Sequence, residues 1–385
     1  MLRFLTAGES HGKGLTAIID GMPAGVPINT DLIAADMARR RHDAGRGGRG
    51  IIEKDLVEIT AGVRFGKSIG APIVLWIPNA DATNWGDKMS EKAQDAAVVE
   101  SAKVTNPRPG HADLAGIQKY GFDDARNVLE RSSARETTAR VAAGSIFRQL
   151  LSCFDIEIAS HTLAIGEIKL ESDYSFVEIK NVFEFDPDTR CVDPGTGQKM
   201  QQAIYDARIN KNTLGGVVEI WAVGVPVGLG SYVQHDRKID GQIAGALMSI
   251  QSVKGVEIGT AHENSTRHGS DVHDPIEYKE GAYKRKSNRA GGIEGGVTNG
   301  EPIIARVHHK PISTLYNPLQ TVNIATKQTA AATIERSDIC VVPRAGIVSE
   351  SMLAYVIAKN LLEKFGEDAL EDILSSYSLY KKRLS

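Results

Sequence analysis

The sequence predicts an α+β layered fold in preference to a doubly wound parallel sheet. Two observations predict it. Runs that alternate apolar and polar residues, or that are rich in β-branched residues, outnumber the helical patterns. These runs do not follow the strict strand–helix alternation of a doubly wound sheet. The 38 glycines among 385 residues imply many turns or close backbone approaches.

The elements follow in order. The stretch Arg3 to Ala7 reads as a strand, and 15–20 as the next. Thr30 is placed to cap a helix running to about Arg41. Strands are expected at 56–63 and 72–77, and Ser90 opens a helix to about Lys103. Ser133-Ala134-Arg135-Glu136 is a capping-box pattern that opens an alanine-rich helix to about Leu151. A strand at 156–165 precedes a long surface excursion at 186–197, where Asp-Pro and glycine steps cluster. Strand 217–223, helix 240–251, a glycine-rich loop at 290–297 and strand 302–308 come next. A strand-like 339–342 leads to a helix from Glu350 to Phe365, which Gly366 stops.

Composition excludes several function classes. With 45 basic and 48 acidic side chains the net charge is -3, so the chain as a whole is no electrostatic nucleic-acid binder. Three widely spaced cysteines (Cys153, Cys191, Cys340) show no metal-ligand pattern and fit a reducing compartment. The histidines form no His-x-x-x-His or His/Cys cluster, which argues against a metal site. No secretory pattern is expected at the N-terminus, because Gly8 to His11 interrupts any apolar core region. No run is expected to reach the roughly 20 apolar residues of a membrane span. The expected location is cytoplasmic.

Several constellations carry chemistry. Gly8-Glu9-Ser10-His11-Gly12 pins an imidazole, a hydroxyl and a carboxylate in a tight turn after the first strand, and Gly110-His111-Ala112-Asp113 repeats the theme. An imidazole titrates nearest neutrality and suits proton handling. The 39–49 segment carries Arg39, Arg40, Arg41, Arg46 and Arg49 among glycines. It reads as a grip for a small anion, with a solvated loop at comparable weight and RNA contact as a rival. Arg131-Ser132-Ser133-Ala134-Arg135 places two cations and two hydroxyls at a helix start, a natural anion site. The 291–296 glycines do not have the spacing of a nucleotide-binding loop and read as a tight turn. Lys310-Pro311-Ile312-Ser313-Thr314 offers an amine and hydroxyls after a rigid turn. Asp338, in Glu335-Arg336-Ser337-Asp338 and shortly before Arg344, suits either an ion pair or a base.

Taken in order, these blocks resemble the chorismate synthase family, together with 235–240, 254–259 and 336–347. The resemblance runs from one end of the chain to the other and implies one domain over 1–385. The implied fold is a sandwich with helices between antiparallel sheets, assembled as a homotetramer. The implied reaction is an anti-1,4-elimination on 5-enolpyruvylshikimate 3-phosphate: phosphate leaves C3, a proton leaves C6, and chorismate forms. Reduced FMN is required without net redox change, with either NADPH or an external flavin reductase supplying the reduction.

The resemblance also assigns roles. His11 lies by the departing phosphate and His111 by the flavin, and Asp338 works in removing the C6 proton. Arg46, Arg49, Arg135 and Arg336, with Ser10 and Ser133, hold the substrate's anionic groups. FMN is implied at Arg131, Ser132, Ser133, Gln251, Ser252, Gly295, Lys310, Pro311, Ile312, Ser313, Thr314 and Arg336. NADPH is implied at Arg40 and Arg46. Two departures stand out: Gln251-Ser252 where many relatives have Asn-Ala, and Arg41-His42-Asp43-Ala44 in place of a glycine-rich stretch. Nucleic acid and membrane are not expected partners.

Overall fold

A computed structural model describes residues 1–47, 53–279 and 281–384. Two antiparallel sheets face each other across a layer of helices. The first has four strands in the order Arg3–Ala7, Gly14–Asp20, Ile73–Pro78, Glu58–Ala61. The second has five, in the order Val253–Ile258, Ile303–His309, Gly216–Val223, Glu157–Ile165, Ile168–Lys169. Helices Thr137–Ser152 and Val342–Phe365 lie between them and pack on both sheets and on each other. This is the layered α+β arrangement expected.

The alternation of side chains explains the layering. In Ile303–His309 the residues Ile303, Ala305, Val307 and His309 are buried, with half-buried residues between them. One face of that strand meets the helices and the other looks outward. The two central helices approach closely because Gly144 faces Ser351: a Cβ added at Gly144 would overlap the serine side chain and its Cα. The long helix spans 24 residues, and its best 18-residue window has a mean hydropathy of 1.2 with 89% of it buried. Such an apolar run was not expected from the sequence. It serves here as a core helix.

A buried ionic hub ties the layers together. Glu350, in the middle of the long helix, is fully buried and accepts from Arg39 at 2.7 and 2.9 Å, Arg148 at 3.0 Å and Ser160 at 2.7 Å. Burial alone would raise its carboxyl, yet the two guanidiniums hold it below the usual carboxylate range. Three helices and one strand therefore share one carboxylate.

Several boundaries differ from expectation, each for a local reason. Asn29, not Thr30, caps Thr30–Arg41, its side chain accepting from the Asp31 amide. Ser90 makes only a turn to Lys92, and the helix there is Ala96–Ala102. Ser133 caps a short 3-10 turn, Ala134–Glu136, ahead of Thr137–Ser152. Glu136 does not close a capping box, because its carboxylate is taken by Arg140, Thr6 and Gln251.

The 186–197 stretch is no surface excursion throughout. Thr189, Arg190 and Cys191 are buried, and Asp193-Pro194 is the cap and first residue of helix Pro194–Ile209. The 339–342 segment contributes only a single bridge, Leu214 to Cys340, because Pro343 fits the first turn of a helix that already begins at Val342. The 56–63 strand shortens to Glu58–Ala61, since Gly62 turns at φ 85°. Helix 240–251 is Ile239–Met248. Helices Asp113–Tyr120, Arg126–Ser132, Phe176–Phe185 and Leu370–Leu384 were not anticipated.

Candidate active site

A cavity of about 500 Å³ opens where the loop after the first strand, the start of Thr137–Ser152, the 310–314 turn and the start of the long helix converge. The loop after the first strand is built tightly. Gly8 turns at φ 101° with its α-carbon against Gly14, where a side chain would collide with backbone. The Asn79 carboxamide then donates to the carbonyls of Glu9, Ser10 and Gly12 at 3.1, 3.3 and 2.8 Å. Ser10 donates its amide to the Glu130 carbonyl at 3.0 Å and its hydroxyl to Ser133 Oγ at 3.0 Å.

His11 is 6% exposed, so it is no surface histidine. Its Nδ1 lies 2.8 Å from Glu130 Oε1, and its backbone amide donates to Glu130 Oε2 at 2.7 Å. The Trp85 ring lies against the imidazole, with centroids 4.0 Å apart. Glu130 sits in a buried place that would raise its carboxyl, but His11 and Arg126 hold it below the usual range.

His111 follows Gly110, which turns at φ 77°. Its Nδ1 lies 2.5 Å from Asp113 Oδ1, and Arg108 grips the same carboxylate through Nε at 2.9 Å. Asp113 is fully buried. Despite that burial, the His111 and Arg108 donors keep its carboxyl far below the ordinary range. Both histidines are thus backed at Nδ1 by a buried carboxylate.

Asp338 accepts from the Gly47 amide at 2.7 Å and from Arg344 at 2.8 Å. Arg344 also clasps the buried Asp43 through two nitrogens, at 2.6 and 2.9 Å. The ion pair expected for Asp338 between its flanking arginines therefore exists, and its partner is Arg344. Arg336 instead reaches Asp81 at 2.5 Å.

The cavity brings together most of the residues expected of the site. His11, His111 and Asp338 line it with Ser10, Ser132, Ser133, Gln251, Ser252, Lys310, Ile312, Ser313 and Thr314, and with Arg40, Arg46, Arg135 and Arg336. Among the described residues, seven basic side chains line it against three carboxylates, Glu53, Glu335 and Asp338. Arg131 does not line it: half-exposed, it donates to the Thr6 and Gly8 carbonyls. Pro311 is exposed and does not line it. Gly295 sits in the turn of the hairpin Ile293–Glu294 and Val297–Thr298, with open space around it and no place in the lining. Arg49 lies outside the described residues.

The cations differ in how far they are committed. Arg135 is buried and already pairs with Asp55 and with Glu53 at 3.2 Å. Arg40 reaches Asp55 at 3.2 Å and Thr137, and burial beside Arg135 brings it down to about 10, which leaves it cationic at neutral pH. Burial and the neighbouring Arg344 likewise lower Arg46. Lys310 is lowered by burial and by Lys254, and its amine reaches Ser313 Oγ at 2.8 Å.

Sequence reasoning missed Glu130, Arg108, Asn79 and Trp85. Asp113 stood inside a quoted motif and Glu130 directly before another, but nothing local marked either as a partner. Among the described residues, no group of three or more His, Cys, Asp or Glu could hold a metal ion.

Comparison with known proteins agrees over nearly the whole chain. A family model described as chorismate synthase matches residues 2–362. Chorismate synthase of Syntrophotalea carbinolica is 50% identical over 385 residues, covering 99% of each chain. That of Alkaliphilus metalliredigens is 51% identical over 381 residues, again covering 99% of each. A crystal structure of chorismate synthase superposes with a TM-score of 0.79 at 41% identity, covering 100% of this chain and 98% of the other. Identity at this level, over this length and with the same fold, leads to one conclusion: the chain belongs to the chorismate synthase family.

Proposed function

We propose that the cavity is where this chain carries out its family's reaction, with the residues below in named roles. The reaction converts 5-enolpyruvylshikimate 3-phosphate to chorismate: the C3–O bond to phosphate breaks, a proton leaves C6, and a second ring double bond forms. The observation that carries the assignment is the convergence of seven basic side chains and two imidazoles on one cavity. A substrate with a phosphate and two carboxylates needs several fixed cations, and a site shielded from water strengthens each contact.

In this reading His11 gives a proton to the departing phosphate oxygen. Ser10 and Ser133, hydrogen-bonded to each other, present hydroxyls to the same group. Arg46 and Arg336 bind substrate anions directly, together with Arg49, while Arg135 sets the charge of the wall from its place between Glu53 and Asp55. Asp338 takes away the C6 proton, held in place by Arg344 and the Gly47 amide. His111, backed at Nδ1 by Asp113, is assigned to the flavin side of the cavity.

The family's reduced flavin supplies electron density to the reacting bond when bound. The residues fit such a group. The buried Gln251 Oε1 has no hydrogen-bond partner. Ser132, Ser252, Ser313, Thr314 and Lys310 converge beside it with hydroxyls and an amine. We assign this wall to FMN and, with the family, extend the assignment to Arg131, Pro311 and Gly295. Arg40 and Arg46 are assigned to NADPH. The longer Gln251 also reaches Glu136 at 3.1 Å, which ties the departure from Asn-Ala to the start of the central helix.

Three coarser points complete the proposal. The chain acts as one domain, supported by a single large hydrophobic cluster that includes both sheets and the central helices. It assembles as a homotetramer, supported by exposed apolar residues such as Leu5 and Ile18 on the outer face of the four-stranded sheet. It works in a reducing cytoplasm, as its three free cysteines suit. The test is anaerobic: purified protein with reduced FMN and the enolpyruvyl substrate should release phosphate and chorismate in equal amounts. Absence of turnover by flavin-loaded protein overturns the reading. NADPH-driven turnover in air distinguishes self-reduction from dependence on an external reductase.

A further inference from the structure

His11 is held by one residue in several ways, and that residue belongs to none of the motifs recognised in the sequence. Glu130 lies 119 positions away on helix Arg126–Ser132. Its carbonyl takes the Ser10 amide at 3.0 Å. One carboxylate oxygen takes the His11 amide at 2.7 Å, and the other faces His11 Nδ1 at 2.8 Å. Both side chains are nearly water-free, 7% exposed for His11 and 3% for Glu130.

We propose that Glu130 is the positioning residue of His11: its carboxylate holds the Nδ1 proton and the backbone amide together, so that Nε2 is the nitrogen turned to the work of the cavity. The inference rests on the reading of His11 as the proton donor.

The chemistry of the contact sets its direction. A carboxylate has no proton of its own, so at 2.8 Å it accepts and Nδ1 donates. Holding Nδ1 protonated fixes which ring nitrogen is left for proton transfer. Gripping the backbone amide with the second oxygen fixes the ring's root as well as its edge. Trp85 lies against a face of the imidazole, so tilting the ring would break that contact, while flipping it would break the hydrogen bond to Glu130.

The neighbouring groups bear on the same ring and its cover. Arg126 approaches Glu130 at 3.4 Å, pairs with Glu335 at 2.9 Å and lies over the Trp85 ring at 5.0 Å. Asp81 accepts from the Trp85 indole at 3.2 Å and so fixes the covering ring. Arg46, Arg135 and Glu53 line the same cavity. Among these groups Glu130 is the one whose carboxylate hydrogen-bonds the ring, and so the one that orients it for proton transfer to the leaving phosphate.

The test is a double-mutant cycle with Glu130→Gln and His11→Ala. A carboxamide has one acceptor oxygen where the carboxylate has two, so it can serve the amide or the ring but not both, and it brings no charge. Glu130→Gln alone should lower kcat about 10²-fold with KM changed less than about threefold, the low end of the range for a general acid. In a His11→Ala background the same substitution should cost less than about threefold, since the group it positions is already gone. Glu130→Asp, which restores the charge, should recover about tenfold over Glu130→Gln.

Additive losses in the double variant overturn the proposal, as does an aspartate no better than the glutamine. A His11→Ala variant that keeps its rate overturns the acid role of His11 instead, whatever Glu130 does. The two failures are thereby distinguished.

Discussion

Asp113 Oδ1 stands 2.5 Å from His111 Nδ1, while the other oxygen of the same carboxylate receives the Arg108 Nε proton at 2.9 Å. One buried anion thus serves an imidazole and a guanidinium, and each depends on it for charge balance.

Replacing Asp113 by asparagine should be costly to the fold. Arg108 is 7% exposed and would keep its charge without a countercharge. Removing one partner of a buried pair costs about 3–5 kcal/mol. Urea unfolding of Asp113→Asn should show a loss of that order. A stability within 0.5 kcal/mol or so of wild type would contradict the buried pairing.

The histidines themselves should matter to rate more than to stability. His11→Ala and His111→Ala are each expected to lower the rate about 10²–10⁴-fold, the usual contribution of general acid–base groups. Anaerobic kinetics with excess reduced FMN measure this. A loss below about threefold for both would remove them from the mechanism.

Arg344→Lys should separate binding from chemistry. The guanidinium spans Asp43 and Asp338 through three nitrogens, and an ammonium has no such fork. Substrate KM should change little while kcat falls about tenfold or more, because Asp338 loses its fixed direction. A raised KM with kcat little changed would point instead to a role in substrate binding.

Gly144→Ala probes the contact between the central helices. Its methyl would meet Ser351, and overpacking of this kind costs about 1–3 kcal/mol. Thermal unfolding should show a lower Tm, partly restored in Gly144→Ala with Ser351→Gly. An unchanged Tm in the single variant would mean that the helices are not so closely apposed.

Acid stability should depend on Glu219 in a defined window. Burial would raise this carboxyl, but His161, Trp221 and Arg306 bring it from 4.5 down to about 2. A carboxyl depressed in the folded state stabilises above its ordinary value, and that contribution is lost as pH falls through the folded value. The gap in unfolding free energy between wild type and Glu219→Gln should therefore narrow between pH 4.5 and 2. A gap that stays constant over that range would contradict the assignment.

The layers were legible in the sequence because alternation records which strand face is buried. Ile303, Ala305 and Val307 mark one face of their strand whatever they pack against. Helix ends were read less well, since capping residues have competing uses: Glu136, placed to close a box with Ser133, is drawn off by Arg140 and Gln251. The site's reactive groups were legible as motifs, and the cavity gathers His11, His111 and Asp338. Their partners were not. Glu130 reaches His11 across 119 residues and Asp43 reaches Arg344 across 301, and such pairings exist only once the chain has folded.

Asn79 carries a consequence of its own. A single nitrogen, Nδ2, gathers three carbonyls of the His11 loop, while Oδ1 of the same group accepts from Arg135 Nε at 3.0 Å. Hydrolysis of that one amide would exchange a donor for an oxygen and set it against three carbonyl dipoles. The change adds less than one dalton and leaves the fold's core untouched, yet it would open the loop that carries the histidine. Chemical ageing at Asn79 would thus silence the protein before it unfolds it, and an intact-mass shift of about one dalton that tracks lost activity would reveal it.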